Sequence, residues 1–161
     1  MADARRLMVL DRRDFVVGAG AAALVAALVG SGSAADAPAP HSAEFERVLA
    51  GILNGAAPRE SGIEMNLPEI VDNGDYVPVG FSVASPMTPD NYVKAIHLLS
   101  TANPRAHVAT FRFTLLSGKA HVTSRMRLAK TQAVVAIAEL SDGTFLMSTQ
   151  AVDVKVGGCG L

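Results

Sequence analysis

The chain has 161 residues, half of them hydrophobic, 18% charged and 5% aromatic, with no Trp; that is enough for one globular domain with appendages and too little for two large ones. Its 14 Lys and Arg nearly cancel its 15 Asp and Glu, for a formal charge of -1, which argues against a basic nucleic-acid footprint. The single cysteine excludes an internal disulfide framework, a Cys-rich zinc site and an internal CxxC redox pair.

Residues 1–35 are expected to serve export. Basic residues Arg5, Arg6, Arg12 and Arg13 precede an apolar run from Val16 to Val29, and a small, polar stretch from Gly30 to Ala35 follows it. This is the order of an n-region, an h-region and a cleavage region. The run is shorter than the ~20 residues a spanning helix needs. Arg12-Arg13 with Phe15 two positions later resembles the twin-arginine signal of bacteria, the alternative being a general secretory signal with chance arginines. Small residues place cleavage between Ala34 and Ala37, with Ala35 the working end. A mildly acidic mature protein in the periplasm is the expectation, with no membrane contact once the signal is gone.

Residues 36–58 read as a spacer and a helix. Ala37-Pro38-Ala39-Pro40 is stiff, and Ser42 then caps a run in which Phe45, Val48, Leu49, Ile52 and Leu53 recur at helical spacing. Gly55 and Pro58 stop it. From residue 59 to 156 the period changes to two. Ile63, Met65 and Leu67 alternate, as do Val77, Val79, Phe81 and Val83, and later Ala109, Phe111, Phe113 and Leu115. Val93–Leu99, Lys119–Leu128, Ala133–Leu140 and Phe145–Val156 complete about seven strands. Turn chemistry at Asn73-Gly74, Asn103-Pro104, Ser117-Gly118 and Asp142-Gly143 separates them. With no helix-length segment between them, these strands predict an all-β fold: an immunoglobulin-like antiparallel sandwich, with a barrel of similar strand count as the alternative.

Catalytic or metal-binding groups do not converge in the sequence. His41, His97, His107 and His121 lack ligand spacing, and only His107 and His121 are expected to meet, across neighbouring strands. Asp72 and Asp75 flank a turn and lack the downstream Glu of a calcium loop. Arg112, Arg125, Arg127 and Lys130 tint the later strands, with Arg125 and Arg127 expected on one side of one strand; a solvated outer face accounts for them, attraction of an anion or of a partner's acidic face being the alternative.

The C-terminus stands apart. Cys159 follows the last strand and is flanked by Gly157, Gly158 and Gly160. Glycines impose no conformation, so residues 157–161 read as a flexible arm able to extend about 17 Å at ~3.4 Å per residue. Nothing nearby in sequence lowers the thiol's pKa. Cys159 is therefore read as an attachment point activated by whichever enzyme admits it, with an interchain disulfide or an accidental exposed thiol as the alternatives.

With that arm in view the chain resembles SoxY, the sulfur-carrier family of the bacterial thiosulfate-oxidising Sox system. The resemblance rests on Gly157-Gly158-Cys159-Gly160, the twin-arginine signal, the stretch from Ser85 to Val93, Leu116-Ser117-Gly118-Lys119, and the stretch from Arg127 to Gln132. It implies a heterodimer with a SoxZ-like subunit and a carrier that is not itself an enzyme. It also implies no cofactor beyond a covalent sulfur adduct on Cys159, loaded by SoxAX and processed by SoxB and sulfane dehydrogenase-type enzymes. The family's usual Gly-Gly-Cys-Gly-Gly ending is replaced here by a final Leu161. Two competing classes remain open: an exported structural sandwich whose lone cysteine forms an interchain disulfide, and a thiol-redox protein, which lacks a second cysteine to resolve a mixed disulfide.

Overall fold

A computed structural model describes residues 41–158. The expected signal and Cys159, Gly160 and Leu161 lie outside the described residues. One helix, α1 (Ala43–Leu53), precedes eight strands: β1 (Ile63–Asn66), β2 (Ile70–Asn73), β3 (Val77–Val83), β4 (Val93–Ser100), β5 (His107–Arg112), β6 (Ala120–Met126), β7 (Gln132–Leu140) and β8 (Phe145–Val156). They form a three-stranded sheet in the order β1-β3-β6 and a five-stranded sheet in the order β2-β8-β7-β4-β5. The immunoglobulin-like sandwich read from the sequence is the fold.

The helix forms where expected and for the expected reason. The Ser42 side chain accepts a hydrogen bond from the Phe45 amide at 3.1 Å, satisfying one of the donors a helix start leaves open. Asn54 closes the other end in the left-handed conformation, at φ 46°, a backbone state that asparagine tolerates better than most residues. α1 drives Phe45 into a small core with Leu99, Ala106, Val135 and Ile137. These residues lie on the outer face of the five-stranded sheet, so α1 covers a face that would otherwise be wet.

The larger core lies between the sheets and takes Val77, Val79, Phe81 and Val83 from β3, with Val134, Ala136 and Ala138 from β7. Strand β7 is therefore buried on both faces, its first seven residues all inaccessible. That explains its nearly unbroken apolar run, whereas β3 alternates because only one of its faces is covered. Pro78 lies beyond the end of β1, which pairs only with Gly80–Val83; there β3 is an edge and a missing N–H is tolerated.

Three details depart from the expectations. Strand β2 was not anticipated: it has only four residues, a single buried side chain (Val71) and no alternation. It pairs in parallel with β8, in a sheet otherwise antiparallel. Strand β5 ends at Arg112, and Leu115 instead opens a 3-10 turn over Leu115–Ser117. His107 and His121 do not meet, because β5 and β6 belong to different sheets.

Candidate functional site

The segment that leads to Cys159 is built into the body of the fold. Val156 ends β8, and its carbonyl accepts the Gly74 amide at 2.8 Å. The Gly74 carbonyl in turn accepts the Leu128 amide at 2.8 Å, and the Leu128 carbonyl accepts the Gly158 amide at 2.9 Å. The turn after β2, the β6–β7 loop and the end of the chain's last strand are thus tied by three consecutive backbone hydrogen bonds.

The glycines there are required by space, not by turn conformation, since none of the three is in the left-handed region. A Cβ on Gly74 would strike the Leu128 carbonyl oxygen, and one on Gly157 would strike the Ala129 carbonyl oxygen. On Gly158 it would sit 2.7 Å from the Gly74 carbonyl carbon and 2.9 Å from the Asp75 nitrogen. All the obstructing atoms are backbone and cannot swing aside. Gly158 is buried and Gly157 exposed, and in both the lack of a side chain permits close approach to a neighbouring segment; the rest of the arm expected over residues 157–161 lies outside the described residues.

The loop that receives them is held by a polar network. Asn103 donates to the Arg127 carbonyl at 2.8 Å, and its Oδ1 accepts from the Ala129 amide at 2.9 Å and from Gln132 Nε2 at 2.7 Å. Gln132 is fully buried; it also donates to the Lys130 carbonyl and accepts the Ala102 amide at 2.8 Å. Thr131 Oγ1 donates to Asp153 Oδ1 at 2.9 Å and accepts the Val154 amide at 3.0 Å. Lys155 hydrogen-bonds the same Asp153 carboxylate and, with Thr131, holds its pKa below the ordinary value. Among the described residues no buried side-chain polar atom lacks a partner. Buried polar groups satisfied to this degree fix a loop rather than loosen it.

Around this root the surface carries Tyr76 and Val156, both about 60% exposed. The Arg125 guanidinium stands over the Tyr76 ring at 4.8 Å, a favourable cation–π arrangement. Arg127 lies past the end of β6 and does not share a strand face with Arg125 as expected. It is exposed, as are Arg112 and Lys130, in line with a solvated outer face.

Elsewhere the predicted chemistry stays dispersed. His97 and His107 flank the Thr110 hydroxyl at 3.0 and 2.9 Å on the outer face of the five-stranded sheet, whereas His121 contacts Thr123 and His41 contacts Glu46. Asn73 caps the turn that holds Asp75, its Oδ1 accepting the Asp75 amide at 2.8 Å. No group of three His, Cys, Asp or Glu among the described residues is placed to hold a metal. No described helix is long and apolar enough to cross a membrane. A concavity of about 560 Å³ lies on the outer face of the three-stranded sheet around Gly80, between Glu64 and His121; neither Gly157 nor Gly158 lines it.

Sequence reasoning missed the receiving residues Gly74, Asn103, Leu128, Ala129 and Gln132 as a unit. Asn73-Gly74 looked like turn chemistry, and the 127–132 stretch stood out only through the family resemblance.

The fold and the root define a class: an immunoglobulin-like sandwich whose last described strand ends at a pair of glycines set against backbone, next in sequence to the lone cysteine. The family model for the sulfur oxidation protein SoxY matches residues 50–159, and the chain belongs to the SoxY family, whose members are sulfur carriers in sulfur oxidation and not enzymes. Among solved structures, the sulfur carrier protein SoxY from Chlorobium limicola f thiosulfatophilum is 28% identical; the match covers 69% of this chain and 96% of that one, with a TM-score of 0.58. Superoxide reductases from Ignicoccus hospitalis (E23A variant; 18% identity, 65% and 86% coverage, TM-score 0.53) and Nanoarchaeum equitans (10%, 60% and 100%, 0.51) share the fold alone. No curated protein sequence matches the chain.

Proposed function

We propose that the protein is a periplasmic carrier that holds thiosulfate-derived sulfur covalently on Cys159, works as a heterodimer with a SoxZ-like subunit and presents its cargo to Sox enzymes in turn. The observation that carries this reading is that the SoxY match runs as far as residue 159 and so includes the chain's single cysteine. Twin-arginine export of the folded protein, from Arg12-Arg13 and Phe15, supports the location.

The chemistry follows from a single cysteine with glycine on either side in sequence and no second cysteine in the chain. Joining Cys159–SH to the terminal sulfur of thiosulfate forms one S–S bond and releases a proton and two electrons, which a haem partner of the SoxAX type must accept. Hydrolysis by a SoxB-type enzyme then breaks the bond between that added sulfur and the sulfonate. Water supplies the oxygen of the departing sulfate, and a persulfide stays on Cys159; this step has no net redox change.

Intact mass after incubation with thiosulfate and the partner enzymes tests the proposal. A sulfur-containing adduct on the wild type, absent from Cys159→Ser, is the expected result. A stable disulfide-linked dimer mass that resists loading would overturn it in favour of a structural cysteine. Co-elution with a SoxZ-type protein in size-exclusion chromatography tests the heterodimer, and failure to associate would remove that part.

A further inference from the structure

Gly158 sits in a slot whose floor is Gly74 and whose wall is the Leu128 backbone, and the exposed Gly157 lies at its mouth against the Ala129 carbonyl. We propose that this slot is a latch: it seats the residues before Cys159 against the body, and release from it lengthens the reach of the thiol. The latch has function only through the carrier role proposed above, but its existence can be tested without any sulfur chemistry.

Three observations meet at the slot. Gly158 is buried and donates its amide to Leu128 at 2.9 Å. The floor is itself a glycine, hydrogen-bonded to the ends of both neighbouring segments, Val156 and Leu128. All three glycines are excluded from carrying a Cβ by backbone atoms. Mere tethering does not require any of this: a loose arm has no need for a glycine at position 74, on the far side of the contact. The receiving loop is also held from behind, by Asn103 and Gln132, so the slot does not depend on its occupant.

Covalent geometry then sets two positions for the thiol. With the latch closed, the residue after Gly158 is one trans peptide, about 3.8 Å between Cα atoms, from a buried, hydrogen-bonded anchor. With the latch open, the fixed point retreats to Val156, and two more residues add roughly 7 Å at ~3.4 Å each. An acceptor with a shallow opening can engage the closed form by resting on the rim at Tyr76, Arg125 and Val156. A deep one must draw Gly157 and Gly158 out. Opening disrupts one backbone hydrogen bond and the glycine contacts and leaves β8 intact. That is the kind of local transition which native proteins undergo far below the cost of global unfolding.

The single cysteine makes a direct test possible, because a nitroxide label attaches at residue 159 and nowhere else. In the full chain the label should give a motionally restricted spectrum. In Gly157→Ala, whose added methyl meets the Ala129 carbonyl, it should give the sharp lines of a free terminus. The Gly158 amide should exchange with deuterium roughly tenfold or more slowly than in an unstructured peptide, and Gly157→Ala should abolish that protection while the melting temperature holds. Gly74→Ala tests the floor with the terminal sequence untouched; Gly157→Ala keeps the test decisive even where Gly74→Ala perturbs the turn after β2. A freely exchanging Gly158 amide in the wild type, or spectra that are identical before and after Gly157→Ala, would overturn the latch. Neither result depends on whether Cys159 accepts sulfur.

Discussion

Gln132 is fully buried, and its amide group bridges the β6–β7 loop to the loop before β5, through Ala102 and Asn103. Gln132→Leu preserves much of the volume but strips the acceptor from the Ala102 amide and a donor from Asn103. An unsatisfied buried donor costs about 1–3 kcal/mol, and a loss of that size in chemical denaturation is expected. A loss below about 0.5 kcal/mol, the range of ordinary surface changes, would mean that water replaces the side chain and that the loop is not held as described. Cys159→Ser should behave in the opposite way, with loading abolished and stability within that same small range.

At the scale of the element, α1 buries one side chain fully, Phe45, lays Val48, Leu49, Ile52 and Leu53 half-buried against the same cluster, and is started by one cap. Phe45→Ala empties the site between Leu99, Ala106, Val135 and Ile137, and large-to-small changes of this kind cost about 3–5 kcal/mol. Ser42→Ala removes only the cap, for about 1 kcal/mol. The two losses should keep this order in urea titrations, and equal losses would show that α1 is not seated through Phe45. The same helix shows how legible the sequence was: cap, period and stop were all local, so its bounds could be read to within a residue. Strand β2 was not legible, because its four residues owe their conformation to β8, more than eighty positions away. The close approach at the glycine pair was not legible for the same reason. Gly157 and Gly158 look like freedom when read along the chain, and their restriction comes from Gly74, Leu128 and Ala129. Cys159 was singled out because a lone cysteine beside glycines is a local signal. The slot beside it is made of carbonyl and amide groups, which leave no mark on residue type except a missing Cβ.

For the whole molecule, the groups that answer to acid fall in two separate windows. His97 is half-buried against the five-stranded sheet, and that burial pushes its pKa below the usual 6.5; Glu139 opposes the shift, while His107 and Arg112 add to it. Above pH 6.5 the ring is neutral in both folded and unfolded chains and contributes no slope. Below it the unfolded chain takes up a proton that the folded one resists, so stability falls as pH drops towards the lower folded value. Asp142, held by the Thr144 amide and hydroxyl, and Asp153, held by Lys155 and Thr131, lie below the usual 3.8. Their contribution is present above that value and is lost as pH falls beneath it. The melting temperature should therefore decline in two stages on acidification, one beginning near pH 6.5 and one below about pH 4. His97→Gln, which retains an amide able to meet the Thr110 hydroxyl, should flatten the first stage and leave the second in place. If the first stage persists unchanged in that variant, the acid sensitivity near neutrality belongs to some other group, and the burial of His97 does not govern it.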